Sequence, residues 1–155
     1  MGKIRLIWIG KTQEAYLQTG IELYLKKLRP YLQIEILELK PMPYQSGNPA
    51  QWKAQETIKA LKKLERGEIS IFLDESGEKK SSVAFAQWFE RQLQVGPSLN
   101  FVIGGPYGWD ATQLAPPLQK LSLSTMTYNH QMVRIILLEQ LYRAMTILRG
   151  EPYHH

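Results

Sequence analysis

Short apolar runs alternate with segments of helical period along the whole of this chain, and that alternation leaves few folds open. Ile4-Arg5-Leu6-Ile7-Trp8-Ile9 stops at Gly10 and reads as a buried strand, as do Leu32 to Leu39, Ile69 to Leu73, Leu99 to Ile103 and about Leu118 to Leu123. Helical spacing fills about Gln13 to Leu28, Ala50 to Arg66, Ser82 to Gln94 and Gln131 to Leu148, with a short helix near Asp110 to Leu114. The punctuation agrees. Pro30, Gly67 and Gly96-Pro97 close helices, Ser82 suits an N-cap, and Asp74-Glu75-Ser76-Gly77 suits a turn. Strands joined through helices return parallel, so the order predicts an α/β fold: a mostly parallel sheet with helices on both faces. Without repeats or linkers, residues 1–155 are expected to form a single domain. The long connection Pro41 to Pro49, with three prolines in nine residues, is expected to be a mobile loop of the kind that often carries function.

Composition narrows the function. There is no cysteine, which excludes disulfides, thiolate metal sites and thiol nucleophiles. No run of eighteen apolar residues suggests a membrane span, and the start of the chain is too short and charged for a signal peptide; a cytoplasmic protein is expected. Three histidines, two of them adjacent at the end, are too few for a metal cluster, and no carboxylate dyad or Ser-His-Asp order stands out. The net charge of +5 permits a polyanionic partner such as nucleic acid.

Phe101-Val102-Ile103 runs straight into Gly104-Gly105-Pro106-Tyr107-Gly108. A strand that ends in glycines lets a ligand lie against bare backbone, and in parallel α/β sheets ligands bind beyond the carboxyl ends of strands. The cluster is neither a dinucleotide fingerprint nor a P-loop, and no basic residue lies between Gly104 and Lys120 to neutralise a pyrophosphate. A nucleoside-like ligand without phosphates, such as S-adenosylmethionine, fits that pattern; the same glycines would equally make a plain tight turn. Ser122, Ser124, Thr125 and Thr127 then offer hydroxyls and backbone groups for an adenine edge, or simply cap the helix that follows.

On that last helix Val133, Ile136, Leu137, Leu138, Leu141, Ala144, Met145, Ile147 and Leu148 spread over roughly 200°, wider than one sheet face covers. Either the helix is sunk in the core or a second subunit covers it, and a homodimer is expected. Arg134 falls inside the apolar arc, which demands a partner or a site.

Phe101 to Gly108, Leu121 to Thr127, His130-Gln131-Met132-Val133-Arg134, Glu139 to Ala144 and the closing Arg149-Gly150-Glu151-Pro152-Tyr153-His154 resemble the ribosomal RNA large-subunit methyltransferase H family. Ile9-Gly10-Lys11 and Tyr24 agree more weakly, and the likeness spans essentially the whole chain. It implies a minimal SPOUT-class methyltransferase whose C-terminal segment threads a trefoil knot around the methyl donor. By the same resemblance the activity is transfer of methyl from S-adenosylmethionine to N3 of a pseudouridine in 23S rRNA, by a homodimer acting on assembled ribosomes, with no metal. Donor contacts are implied at Leu73, Gly104, Leu123, Ser124, Thr125, Met126, Thr127 and Tyr128. His154 is expected as the base, Tyr153 as the residue orienting the uracil, and Arg134 and Arg143 as partners of RNA phosphate or developing charge. His130 is expected either to meet RNA or to serve structure. Members commonly have proline where this chain has Asn129.

Overall fold

The computed structural model describes residues 3–155. The chain runs β1 (Lys3–Ile9), α1 (Ala15–Leu28), β2 (Gln33–Leu39), α2 (Pro49–Leu61), β3 (Ile69–Lys79), α3 (Ser82–Val95), β4 (Ser98–Ile103), β5 (Gln119–Ser122) and α4 (Met132–Leu148), with one 3-10 turn at Ala111–Gln113. The strands form one sheet in the order β2-β1-β4-β3-β5, and each pairing is parallel. β4 sits at the centre with all six of its residues buried; on its second face Ser98 and Asn100 are accommodated by hydrogen bonds to Glu68, beside Val102.

Alternation along the strands divides the core in two. Ile4, Leu6 and Trp8 of β1 join Leu99, Phe101 and Ile103 of β4 beneath α1, α3 and α4. Ile7, Ile9 and Val102 point the other way, into a smaller core shared with Ala60 of α2 and with Trp109 and Leu114. The expected α/β sheet with helices on both faces is therefore what forms. α4 is the sunken helix of the larger core: Leu137, Leu138 and Leu141 have no exposed surface, and α1 and α3 flank it. The rest of its apolar arc is unevenly covered: Ala144 and Met145 are buried, whereas Val133, Ile136, Ile147 and Leu148 stay half-buried.

Several boundaries differ from the sequence reading, each for a local reason. α2 ends at Leu61 rather than Arg66; tight turns follow, in which the Lys63 and Leu64 amides donate to the Ala60 and Leu61 carbonyls, and Leu64 packs onto the smaller core. The N-cap of α3 is Ser81, whose Oγ accepts from the Ala84 amide at 3.1 Å. Ser82 is the first helical residue and its hydroxyl donates to Gln140 on α4. The loop Pro41–Pro49, expected to be mobile, is tied down: Glu56 accepts from the Met42 amide and the Tyr44 hydroxyl, and the Trp52 indole donates to the Ser46 carbonyl.

β3 does not stop at Leu73. Leu73 and Glu78 both pair with Leu121, so the intervening residues bulge out of the ladder before the strand resumes to Lys79. The expected turn survives inside that bulge, where Asp74 Oδ1 accepts from the Ser76 amide at 2.8 Å. Gly77 makes the re-entry possible. A Cβ there would lie 2.6 Å from the backbone of Leu121, which cannot move without breaking the pairing. Gly77→Ala should therefore lower stability by about 1–3 kcal/mol, the usual cost of forcing atoms into a filled space, read as an earlier midpoint in urea. An unchanged midpoint would show that the β3–β5 contact is loose.

Candidate active site

A cavity of about 680 Å³ opens beyond the carboxyl ends of β3, β4 and β5. Its floor is apolar and deep, formed by Ile103, Leu121 and Trp109, which are 2%, 2% and 6% exposed. One wall is the glycine turn after β4. A Cβ on Gly104 would come within 3.2 Å of the Trp109 ring, and one on Gly105 within 2.8 Å of Glu56 Oε1, so close packing on both sides demands bare backbone there. The bulge of β3 brings Leu73, Asp74 and Glu75 to a second wall, and the segment from Ser122 to His130 supplies a third.

That third wall is shaped by its own polar groups. The Ser122 hydroxyl donates to the Ser124 carbonyl, and the Met126 amide donates to Ser124 Oγ, folding the segment back on itself. Asn129 then closes it: its Oδ1 accepts from the Gln131 and Met132 amides at 2.8 and 3.4 Å, satisfying donors at the start of α4. Asn thus holds the turn by capping, at the position where the resembled family commonly has proline. Gln131 fastens the helix start to the far side of the sheet, accepting from the Gln13 amide and donating to the Lys11 carbonyl.

Of the residues implied for the methyl donor, Leu73, Gly104, Leu123, Ser124, Met126, Thr127 and Tyr128 line the cavity; Thr125 does not. Asp74, Glu75, Trp109, Asn129 and Val133 line it as well and were missed. Asp74 and Glu75 directly follow Leu73, so the strand-end rule that singled out the glycines would have found them too. No lysine or arginine lines the cavity. His130 does, and burial, followed by the nearby Arg134 charge, holds its imidazole below the ordinary value. The lining is therefore acidic to neutral.

This lining fits S-adenosylmethionine. Two carboxylates without a competing cation suit a sulfonium, bare glycine backbone admits an adenosyl group, and the volume falls in the range of small-molecule sites. Beside Gly104, the buried Trp109 Nε1–H has no acceptor among the described residues.

The structure places Arg134 behind the site rather than in it. It has no exposed surface, and its guanidinium donates to the Ile9 carbonyl at 2.7 Å and Thr12 Oγ1 at 2.8 Å while lying 4.7 Å over the Trp8 ring. Burial lowers its pKa to about 10, which leaves it charged at neutral pH. A sealed guanidinium cannot meet RNA phosphate. Arg134 instead binds α4 to the end of β1, next to the cavity residues His130 and Val133.

Tyr153, His154 and Arg143 gather elsewhere, outside the cavity of their own chain. The Glu139 carboxylate accepts from Arg143 and from the Tyr153 hydroxyl, and Arg143 lies 4.8 Å over the Tyr153 ring. Arg143 Nη1 is 3.1 Å from His154 Nδ1. A guanidinium only donates, so Nδ1 accepts and a neutral His154 carries its proton on Nε2. Burial first, then its hydrogen-bonded neighbours, raise the Tyr153 pKa, so its hydroxyl stays a donor. The tail folds back through the Glu151 amide, which donates to the Thr146 carbonyl, and through the Tyr31 hydroxyl, which donates to Glu151.

Among the described residues there is no group that could hold a metal ion, and no helix is long and apolar enough to cross a membrane. The chain is 41% identical over 157 residues to the ribosomal RNA large subunit methyltransferase H of Bacteroides fragilis, covering 99% of both chains. It is 44% identical to the protein of that name from Flavobacterium johnsoniae, over 98% of both. The counterpart from Symbiobacterium thermophilum is also 44% identical, over 98% of this chain and 99% of its own. A family model described as "Predicted SPOUT methyltransferase" matches residues 2–154. With a strand-end cavity built as a methyl donor requires and likeness along its whole length, the chain belongs to the SPOUT methyltransferase family.

Proposed function

We propose that this chain is a methyltransferase of large-subunit ribosomal RNA that uses S-adenosylmethionine and methylates N3 of a pseudouridine in 23S rRNA, acting in the cytoplasm as a homodimer on the assembled ribosome. The observation that carries the reading is the cavity itself: glycine backbone on one side, the Leu123–Tyr128 segment on the other, two carboxylates and no cation. The full-length relatives named for rRNA methylation supply the substrate. The family implies that the passage from β5 to α4 is threaded as a knot.

S-adenosylmethionine, when bound, supplies an electrophilic methyl carbon on sulfur. The chain's part is orientation, which is worth more here than any covalent step. Gly104 and the backbone of Ser124, Met126, Thr127 and Tyr128 would hold the adenosyl group, with Asp74 and Glu75 left for the positive end. The imide N3 loses its proton to solvent as the methyl arrives. Tyr153 and His154 lie outside their own cavity, so they serve the cavity of the second subunit. Tyr153 orients the uracil, and the His154 Nε2–H, fixed by Arg143, meets a carbonyl oxygen flanking N3 where negative charge grows. Service of His154 as a base would first require the Arg143 contact to open. Exposed Met126, Tyr128 and Met132, at 71%, 38% and 41%, give the second subunit an apolar surface beside the cavity.

The test is mass spectrometry of 23S rRNA from cells lacking the gene. One pseudouridine methyl group should disappear, return with the intact gene, and stay absent or reduced at least tenfold with His154→Ala, a loss within the range of a single transition-state contact. Full methylation without the gene would overturn the assignment.

A further inference from the structure

At the rim of the cavity three aromatic rings converge from separate parts of the chain: Tyr44 in the loop after β2, Trp52 on α2, and Tyr107 in the glycine turn. Their centroids are 4.9 to 5.3 Å apart, with Tyr107 packed on both of the others. Trp52 is 7% exposed, whereas Tyr107 keeps 42% of its surface open while also lining the cavity. The cavity floor is almost closed to solvent, so Tyr107 belongs to the mouth, where an acceptor must enter.

The backing of this ring is built with unusual cost. Glu56 is fully buried on α2. One of its oxygens accepts from the Met42 amide at 2.9 Å and the Tyr44 hydroxyl at 2.5 Å, and burial and this carboxylate together raise the Tyr44 pKa. The other oxygen, Oε1, has no hydrogen-bond partner among the described residues and lies against Gly105, two residues before Tyr107. Burying a carboxylate with an unpaired oxygen is unfavourable unless the position matters. Here it locks the 42–46 loop to α2 and so fixes the Tyr44 ring on which Tyr107 packs.

Two lysines share α2 with Trp52. Lys53 adjoins Trp52 in sequence and lies close enough to Asp110 to lower that carboxyl's pKa, after the hydrogen bonds from Gln113 and Thr112. Lys59, on the same helix, reaches the Lys40 carbonyl at 3.0 Å and so brings its charge beside the loop. An open aromatic face is a platform on which unpaired bases stack.

We propose that Tyr107, backed by Tyr44 and Trp52, stacks on an unpaired nucleobase of the RNA substrate at the mouth of the donor cavity, with Glu56 as the positioning residue. The inference rests on the rRNA reading above and adds a contact that selects the acceptor. Bases stack on tyrosine through their π-faces, so the contact tolerates sequence and demands only that the base be unpaired.

The experiment is transfer of labelled methyl from S-adenosylmethionine to ribosomes isolated from cells lacking the gene. With Tyr107→Ala the KM for ribosomes should rise about tenfold, the loss of one stacked base. The kcat, and the Kd for S-adenosylmethionine in calorimetry, should stay within about twofold of wild type. Tyr107→Trp should restore the KM. Glu56→Gln should raise KM by itself, yet add nothing in a Tyr107→Ala background. Ultraviolet crosslinking of the wild-type complex should leave a nucleotide on the Tyr107 peptide. An unchanged KM, a weakened donor Kd with unchanged KM, or a crosslink to a ribosomal protein instead of a nucleotide would each overturn the stacking role. Absence of transfer by the wild-type protein would overturn the rRNA reading and this proposal with it, whereas transfer that ignores Tyr107 would overturn this proposal alone.

Discussion

Titration of S-adenosylmethionine into a Gly104→Trp chain is expected to give no binding heat, while the wild-type protein gives a clear isotherm. The reasoning is spatial. A side chain leaving Gly104 starts 3.2 Å from Trp109 and 3.4 Å from the Gly108 backbone, both in the cavity lining. An indole at this point must push Trp109 into the cavity or enter the cavity itself. Tight turns tolerate such changes at the expense of stability; a ligand seat does not tolerate them at all. A melting curve tells the two apart: overpacking against Trp109 should cost about 1–3 kcal/mol, a midpoint lowered by roughly 2–12 °C, so donor binding is read well below that midpoint, where the variant is folded. Retained donor affinity in the folded variant would remove Gly104 from the site.

Arg134→Ala should cost about 3–5 kcal/mol of folding stability, the range for dismantling a buried charged network and leaving a void. Two hydrogen bonds to β1 and the loop after it vanish, together with the stacking on Trp8. Arg134→Met fills much of the volume but leaves the Ile9 carbonyl without a donor, and should cost about 1–3 kcal/mol. Urea titrations at constant slope read both values. Near-wild-type stability of Arg134→Ala would mean that the guanidinium is held for something other than the fold. The two variants also bear on the site, because His130 and Val133 ride on the same turn of chain. Donor affinity should fall with either variant even where the protein remains folded.

Much of this architecture was legible before any coordinates. The strands announce themselves because parallel strands covered on both faces must be apolar throughout, as Phe101-Val102-Ile103 is. The position of the cavity was legible too, since a glycine pair at a strand end has a local cause that the sequence displays. What stayed hidden depended on distant contacts. Nothing near Asp74–Gly77 says that β3 resumes after its turn; that follows from the fit of Gly77 against Leu121. Arg134 looked like a site residue because a charge on an apolar face has two explanations, and only the position of the Ile9 carbonyl chooses between them. The Pro41–Pro49 loop looked free because its anchor, Glu56, reads as an ordinary helix-surface residue until it is seen fully buried. Thr125 shares the polar segment yet does not line the cavity, because the turn made by Ser124 and Met126 directs the neighbouring residues inward.

The bond from Arg134 to Ile9 joins residues 125 apart, and the Tyr31–Glu151 bond spans 120. Such closures form only when nearly the entire chain is available, because distant segments must meet before their contacts repay the lost freedom. During translation, the first strand therefore emerges long before the helix that completes its end. A nascent or truncated polypeptide has no third cavity wall and no fastened tail. Enclosure of the cavity is in that sense a late event of synthesis: a copy that stops short of α4 lacks one of its walls.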